Sequence, residues 1–242
     1  MGEKTGIEWT GSTWNPWRGC HKVSAGCKFC YAETLDRRFG FDFNTVRRAA
    51  PATFNAPLRW KEPRRVFSCS MSDFFIEEAD PWRAEAWDII RRCPQHTFQL
   101  LTKRPERISG HLPEDWGPSG WPNVWLGTTG ETHDLAFQRG MYLGQVPARV
   151  HFLSAEPWLE EKVINAVEYF YTVLNFYEWV IVGGESGAHC RPMNLKTAAA
   201  LIEGCRQAQV PVLVKQLGGF PDKRDHDKAV IYGKLYKEYP ER

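Results

Sequence analysis

Six times along this chain a short run of β-branched, aromatic and leucine residues gives way to polar residues and then to a stretch with helical spacing. The runs are Val66–Cys69, Phe98–Leu101, Val124–Leu126, Val150–Leu153, Trp179–Val182 and Val210–Val214, and the segment before Cys20 supplies a first strand. A connection that contains a helix suits a strand lying parallel to its predecessor, because an antiparallel partner needs only a tight turn. Two of the helices are readable. Pro81 to Arg92 carries Trp82, Ala86, Ile89 and Ile90 near a 3.6 period, with Asp80 as N-cap and Pro in the first turn, and Leu195 to Ala208 is similar. No Gly-rich dinucleotide turn follows the first strand. Six or seven parallel strands therefore predict a complete or partial (βα) barrel rather than an open doubly wound sheet. With 242 residues, 43% of them hydrophobic, the chain fills one core and is short for two, so a single domain over residues 1–242 is expected. Gly110 to Pro122, rich in Gly, Pro and Trp, reads as a loop.

Parallel barrels keep their active sites at the C-terminal ends of the strands. Here those ends read Ser70-Met71-Ser72-Asp73, Thr102-Lys103-Arg104, Gly127-Thr128-Thr129-Gly130-Glu131, Ser154-Ala155-Glu156-Pro157, Gly183-Gly184-Glu185-Ser186 and Lys215-Gln216. Loops are polar in any protein. Six successive ends that each offer a hydroxyl, a charge or a glycine predict a functional face.

Seven cysteines are unevenly spread: Cys20, Cys27 and Cys30 crowd into eleven residues, while Cys69, Cys93, Cys190 and Cys205 are scattered. No apolar run approaches the roughly 20 residues of a membrane span. The segment Met1–Thr5 lacks the apolar stretch of a signal peptide, and Gly6 stands where a myristoylation signal wants Ser or Thr. A cytosolic protein is expected, and in a reducing compartment a cysteine cluster points to metal ligation rather than disulfides. The scattered four are expected to be small buried hydrophobes. Three thiolates in one loop can serve three irons of a cubane and leave the fourth open. Zinc is the rival. It prefers four ligands, and His21 could be the fourth, but neighbours in sequence do not easily both ligate and no second Cys-x2-Cys is present.

Charge is asymmetric. Through Arg107 there are 18 Lys and Arg against 13 Asp and Glu, and after it 13 against 16. The pairs Arg37-Arg38, Arg47-Arg48, Arg64-Arg65, Arg91-Arg92 and Lys103-Arg104 fit either a solvated surface or a face that contacts phosphates. Trp9, Trp14 and Trp17, on the approach to the cysteines, fit either core packing or nucleobase stacking.

The pair Cys27-x2-Cys30, with Phe29 immediately before the last cysteine, resembles the radical S-adenosylmethionine (SAM) signature Cys-x3-Cys-x-aromatic-Cys, except that six residues rather than three separate the first two cysteines. Nearly the whole chain is similar to a phage-associated family of small radical-SAM-like proteins. The matching stretches are Ile7–Thr10, Thr13–Pro16, Gly26–Glu33, Met71–Asp73, Leu101–Pro105, Ser154–Pro157 and Val182–Gly187. The resemblance implies a 4Fe-4S cluster on Cys20, Cys27 and Cys30, with SAM bound to the open iron and cleaved reductively to a 5′-deoxyadenosyl radical by way of an external electron donor. It implies Phe29 near the adenine, and Ser70 and Asp73, at the end of the strand where the superfamily often carries Gly-Gly-Glu, on SAM's amino group. Thr102, Lys103, Thr128 and Ser154 are weaker candidates for SAM's carboxylate and ribose. Gly183 and Gly184 would let backbone approach cofactor or substrate. Glu156, Glu185 and Lys215 are placed on the substrate side as catalytic candidates.

The expected function is accordingly a radical SAM enzyme in the cytoplasm, the host's if the chain is phage-encoded, modifying a base of DNA. The most concrete form is an isomerase rearranging an amino-acid substituent on a thymine-type base. Two alternatives stay open: a radical SAM enzyme acting on a peptide or small molecule, and a zinc- or cluster-stabilised nucleic-acid-binding protein without catalysis.

Overall fold

Strand β1 (Ser12–Trp14) lies parallel to β4 (Arg65–Ser68), Ser12 opposite Val66 and Trp14 opposite Ser68. Between them the chain makes a two-stranded antiparallel ladder, β2 (Trp17–Arg18) with β3 (Arg47–Arg48). Strands β5 (Thr97–Thr102), β6 (Val124–Thr129), β7 (His151–Ala155), β8 (Trp179–Gly183) and β9 (Val212–Gln216) follow. The computed structural model describes residues 4–163 and 173–241. In it the parallel sheet has seven strands in the order β1-β4-β5-β6-β7-β8-β9, and the fold is a partial α/β barrel. Each expected run falls in a strand, with ends shifted by up to three residues. By contacts the chain divides into two compact units. The first comprises Met1–Val23, Cys30–Gly127 and Gln145–Arg149, and the second Ser24–Phe29, Thr128–Gly144 and Val150–Arg242.

The first unit is built on aromatic packing. Trp9, Trp14 and Trp17 are all buried, which settles them as core and not as stacking platforms. Trp14 sits edge-on to Phe54 and Phe98 and donates its indole N–H to the Phe54 carbonyl at 2.9 Å. Trp17 packs on Phe74 and donates to the Asp73 carbonyl at 3.0 Å, so both polar handles are satisfied inside the core. The stretch Gly110–Pro122 has no strand, yet it is pinned. Trp116 and Trp121 pack on Trp87 with centroids 5.6 Å away, and each indole N–H finds a backbone carbonyl. The helix Asp80–Arg91 begins one residue before the expected start. Asp80 is its first residue rather than its N-cap, because the carboxylate turns to the guanidiniums of Arg83 and Arg107 instead of the helix N–H groups.

In the second unit β7, β8 and β9 pair in parallel, every residue of β8 being buried. The helix Leu195–Gln207 starts on Asn194, whose side chain accepts from Lys196 N–H at 3.0 Å. The outer edge of β9 is covered by the chain's own tail: Val214 N–H donates to the Tyr236 carbonyl, and Glu238 N–H to that of Val212. An open edge would otherwise be a template for another chain. Among the described residues no helix is long and apolar enough to cross a membrane.

His96 is fully buried between Trp60 and Phe98, and burial pushes its pKa below the ordinary 6.5. Between the folded and unfolded pKa values the unfolded chain binds the extra proton, so the contribution is complete above about pH 6.5 and declines as pH falls below it. Urea unfolding at pH 7.5 and pH 5.5 should show the loss, and His96→Gln should flatten it.

Candidate active site

At the strand ends of the first unit one carboxylate organises the rest. Asp73 follows β4, and its two oxygens accept four hydrogen bonds. Thr102 Oγ1 (2.6 Å) and Phe75 N–H (2.9 Å) serve Oδ1, and Lys103 N–H (2.9 Å) and Arg104 Nη1 (3.1 Å) serve Oδ2. A carboxylate has about four acceptor positions, and here all are taken. In this arrangement Asp73 holds Arg104 in place, and an incoming ammonium group would have to displace one of these donors. That guanidinium also donates to Cys20 Sγ at 3.8 Å and to the His21 carbonyl at 3.1 Å. Burial pushes the Arg104 pKa down, but the charges of Asp73 and of the Cys20 sulfur outweigh it and the net direction is up.

Cys20 reaches this position through Gly19. At φ +92° its Cα lies against the Phe43 and Thr45 carbonyls, where a Cβ would come within 2.5 Å of the Thr45 oxygen. Gly19 N–H donates to the Met71 carbonyl (3.1 Å), its own carbonyl accepts from Ser72 Oγ (2.5 Å), and Cys20 N–H donates to Phe43 (2.8 Å). Cys20 and Cys30 pack against one small apolar group, Ala32, Phe43 and Met71. Cys30 is the N-cap residue of the helix Tyr31–Arg38, where the helix dipole favours negative charge. Ser70 is held by Asn15, whose Nδ2 donates to its hydroxyl at 3.0 Å and whose Oδ1 accepts from Met71 N–H at 2.8 Å. Thr102 is buried, while Ser70 and Lys103 keep part of their surface.

The second unit divides its strand-end carboxylates between two duties. Glu185, after β8, is buried and accepts three hydrogen bonds from Arg191, through Nε at 2.9 Å, Nη2 at 2.6 Å and the backbone N–H at 2.9 Å. Those hydrogen bonds raise the Arg191 pKa. Glu156, after β7, is different. Lys215 Nζ lies 2.7 Å and Gln216 Nε2 3.1 Å from one of its oxygens, and about a fifth of each side chain of the Glu156–Lys215 pair faces solvent. Gly183 makes room for Glu156, since a Cβ there would meet its carboxyl carbon at 3.0 Å, and Gly184 lets the backbone pass against Leu217. Thr128 and Ser154 are buried. Phe29 is half-buried under the Arg191 guanidinium and beside the His189 ring. Ser24 Oγ lies 3.9 Å from Cys27 Sγ.

Cys20, Cys27 and Cys30 are all free and partly exposed. Of the scattered cysteines, Cys69, Cys93 and Cys205 are buried, with thiol pKa values raised by burial; Cys190 departs from that expectation and is partly exposed. Among the described residues no three His, Cys, Asp or Glu side chains converge as ligands of one metal ion. A mononuclear zinc site requires such convergence, whereas the thiolates of a cubane each serve a separate iron. His21, the suggested fourth zinc ligand, is engaged by Glu78. Cysteine thiols are the donors an iron–sulfur cluster takes, and of the three the Cys20 sulfur also accepts from a guanidinium.

Residues 4–240 match the family DUF5131, described as a protein of unknown function. The chain belongs to that family. No curated protein and no solved structure matches it.

In this DUF5131 chain the basic pairs are largely matched from within. Arg37 pairs with Glu33, Arg47 with Asp36, Arg48 with Glu85, Arg91 with Asp115 and Arg92 with Asp88, while Arg64 lies over Trp60. Sequence reasoning took Lys103-Arg104 as one more such pair and so missed Arg104. Its signal is positional: a basic residue two places past one strand, with a carboxylate just past the neighbouring strand. Removing one partner of a buried ion pair costs about 3–5 kcal/mol. Asp73→Asn should therefore lower unfolding free energy by about 3 kcal/mol in urea titration, and a loss below about 1 kcal/mol would contradict the assignment. Arg104→Lys should also lower stability, by less than Asp73→Asn, because an ammonium keeps the charge but cannot span Asp73, Cys20 and the His21 carbonyl at once.

Proposed function

We propose that this chain is a radical SAM enzyme acting on a base in DNA, in the cytoplasm and with an external electron donor. The observation that carries the reading is the Cys20 sulfur beside Arg104, at strand ends of a parallel sheet and in a loop that holds two further accessible thiols. Cys20, Cys27 and Cys30 would hold a 4Fe-4S cluster. The chemistry such a cluster would supply, with an electron from the external donor, is reductive cleavage of SAM to methionine and a 5′-deoxyadenosyl radical able to remove a hydrogen atom from an unactivated carbon. The chain's own residues bind and orient. Arg104 places positive charge at one thiolate, which favours the ionised sulfur that iron requires. Ser70 and Lys103 keep surface for the polar end of SAM, and Phe29 is the residue the family resemblance assigns to its adenine. The Glu156–Lys215–Gln216 group presents acceptors and donors together, as recognition of a base edge needs. Its charges are partly solvated, so substrate groups can exchange with water there at modest cost. The most concrete form is an isomerase acting on an amino-acid substituent of a thymine-type base.

Protein prepared without oxygen should be brown, contain about four irons per chain and bleach with dithionite. Cys20→Ala, Cys27→Ala and Cys30→Ala should each lose the cluster, and Cys205→Ala should keep it. Reduced protein should release 5′-deoxyadenosine from SAM, faster once the right DNA or nucleoside is present. A colourless protein with stoichiometric zinc would overturn the reading.

A further inference from the structure

We infer that Glu131, braced by Arg139, is the positioning residue for the loop that carries Cys27, and that residue 26 must be glycine because the Glu131 carboxyl occupies the space a side chain would need. The inference rests on reading Cys27 as a cluster ligand. The loop Ser24–Phe29 has little of its own to hold it. Its single 3-10 turn, Ala25–Cys27, is closed by Cys27 N–H to the Ser24 carbonyl at 3.0 Å and Lys28 N–H to that of Ala25 at 3.2 Å, and it buries no residue. Three contacts from the second unit fix it instead. Ser24 Oγ donates to Glu131 Oε1 at 2.5 Å, Arg191 Nη2 donates to the Ala25 carbonyl at 3.0 Å, and Gly26 lies against Glu131, where a Cβ would collide with both Cγ and Oε1.

Glu131 can serve as a stop because it cannot give way. It is fully buried, and Arg139 Nη1 donates to its Oε2 at 3.0 Å and to the Thr129 carbonyl at 2.6 Å. Its own carbonyl accepts from Leu159 N–H at 2.8 Å. A buried carboxylate without that guanidinium would be strongly disfavoured, so charge and position are fixed together. Ser24 has one hydroxyl proton, and it goes to the carboxylate. Ser24 therefore acts on Cys27 by holding the turn, not by donating to the sulfur.

The test is hydrogen exchange on the full-length protein without iron, followed by mass spectrometry of the peptide spanning Ser24–Phe29, together with the rate at which a chelator strips iron from the reconstituted protein. Ser24→Ala should speed exchange in that peptide about tenfold, as expected for loss of a hydrogen bond to a charged group, and hasten iron loss, with Tm within a degree or so of the parent. Gly26→Ala should do the same alone and add little in a Glu131→Ala background, where the collision is gone. Wild-type exchange in Ser24→Ala, or full additivity of Gly26→Ala and Glu131→Ala, would overturn the inference. If exchange responds as expected but Cys27→Ala retains the full iron content, the brace stands and the cluster reading falls.

Discussion

A carboxylate taken out of water must be met by positive charge, and at its strand ends this chain meets that demand with arginine. Asp73 has Arg104, Glu131 has Arg139 and Glu185 has Arg191, each pair joining a buried acid past the end of a strand to a guanidinium, on another element for the first two and in the same loop for the third. The pattern has a physical cause. At the ends of parallel strands the backbone groups lie beyond the last ladder bond and need partners from side chains. A planar guanidinium with five donors can bind a carboxylate and still reach a carbonyl or a sulfur. Arg104 does so with Cys20 and the His21 carbonyl, Arg139 with Thr129, and Arg191 with Ala25.

This separates scaffold from working surface more sharply than residue type does. Asp73, Glu131 and Glu185 are the most conspicuous acids at the strand ends, and their oxygens are taken up within the chain. Glu156 is the acid left near water, and its partner is a lysine, a point charge with two further protons to offer. An ion pair with a fifth of its surface exposed is held far less tightly than one in the interior. It is the pair that can open for an incoming polar group.

The strands were legible because parallel pairing leaves a coarse mark, an apolar run followed by a crossover, and the mark survives any detail of packing. The three N-terminal tryptophans lay between two readings, and only their neighbours Phe54, Phe67 and Phe74 decide that they are core. The duties of Asp73 and Glu185 were not legible. Their types and positions suit ligand contact, and what the sequence does not display is the set of donors already pointed at them, a property of segments up to 31 residues away in the case of Asp73 and Arg104. The basic pairs had two readings open for the same reason: whether Arg48 is matched within the chain depends on Glu85, on a helix 37 residues away in sequence. Cys20, Cys27 and Cys30 stood out because their spacing is local.

The same division decides which substitutions can speak about chemistry at all. Removing Glu185 leaves Arg191 without its carboxylate and, through it, releases the Ala25 carbonyl, so a loss of function there would report on the loop before it reported on a reaction. Glu156 is free of that confusion. Its neighbours Lys215 and Gln216 have other access, Lys215 to water and Gln216 to the Gly184 carbonyl and Gly218 N–H, so neither is orphaned in the interior when the carboxylate goes. A group whose loss strands no buried charge can be varied at little structural cost. That freedom is what a substrate-facing position requires, and among the strand-end acids proposed for catalysis Glu156 is the one that has it.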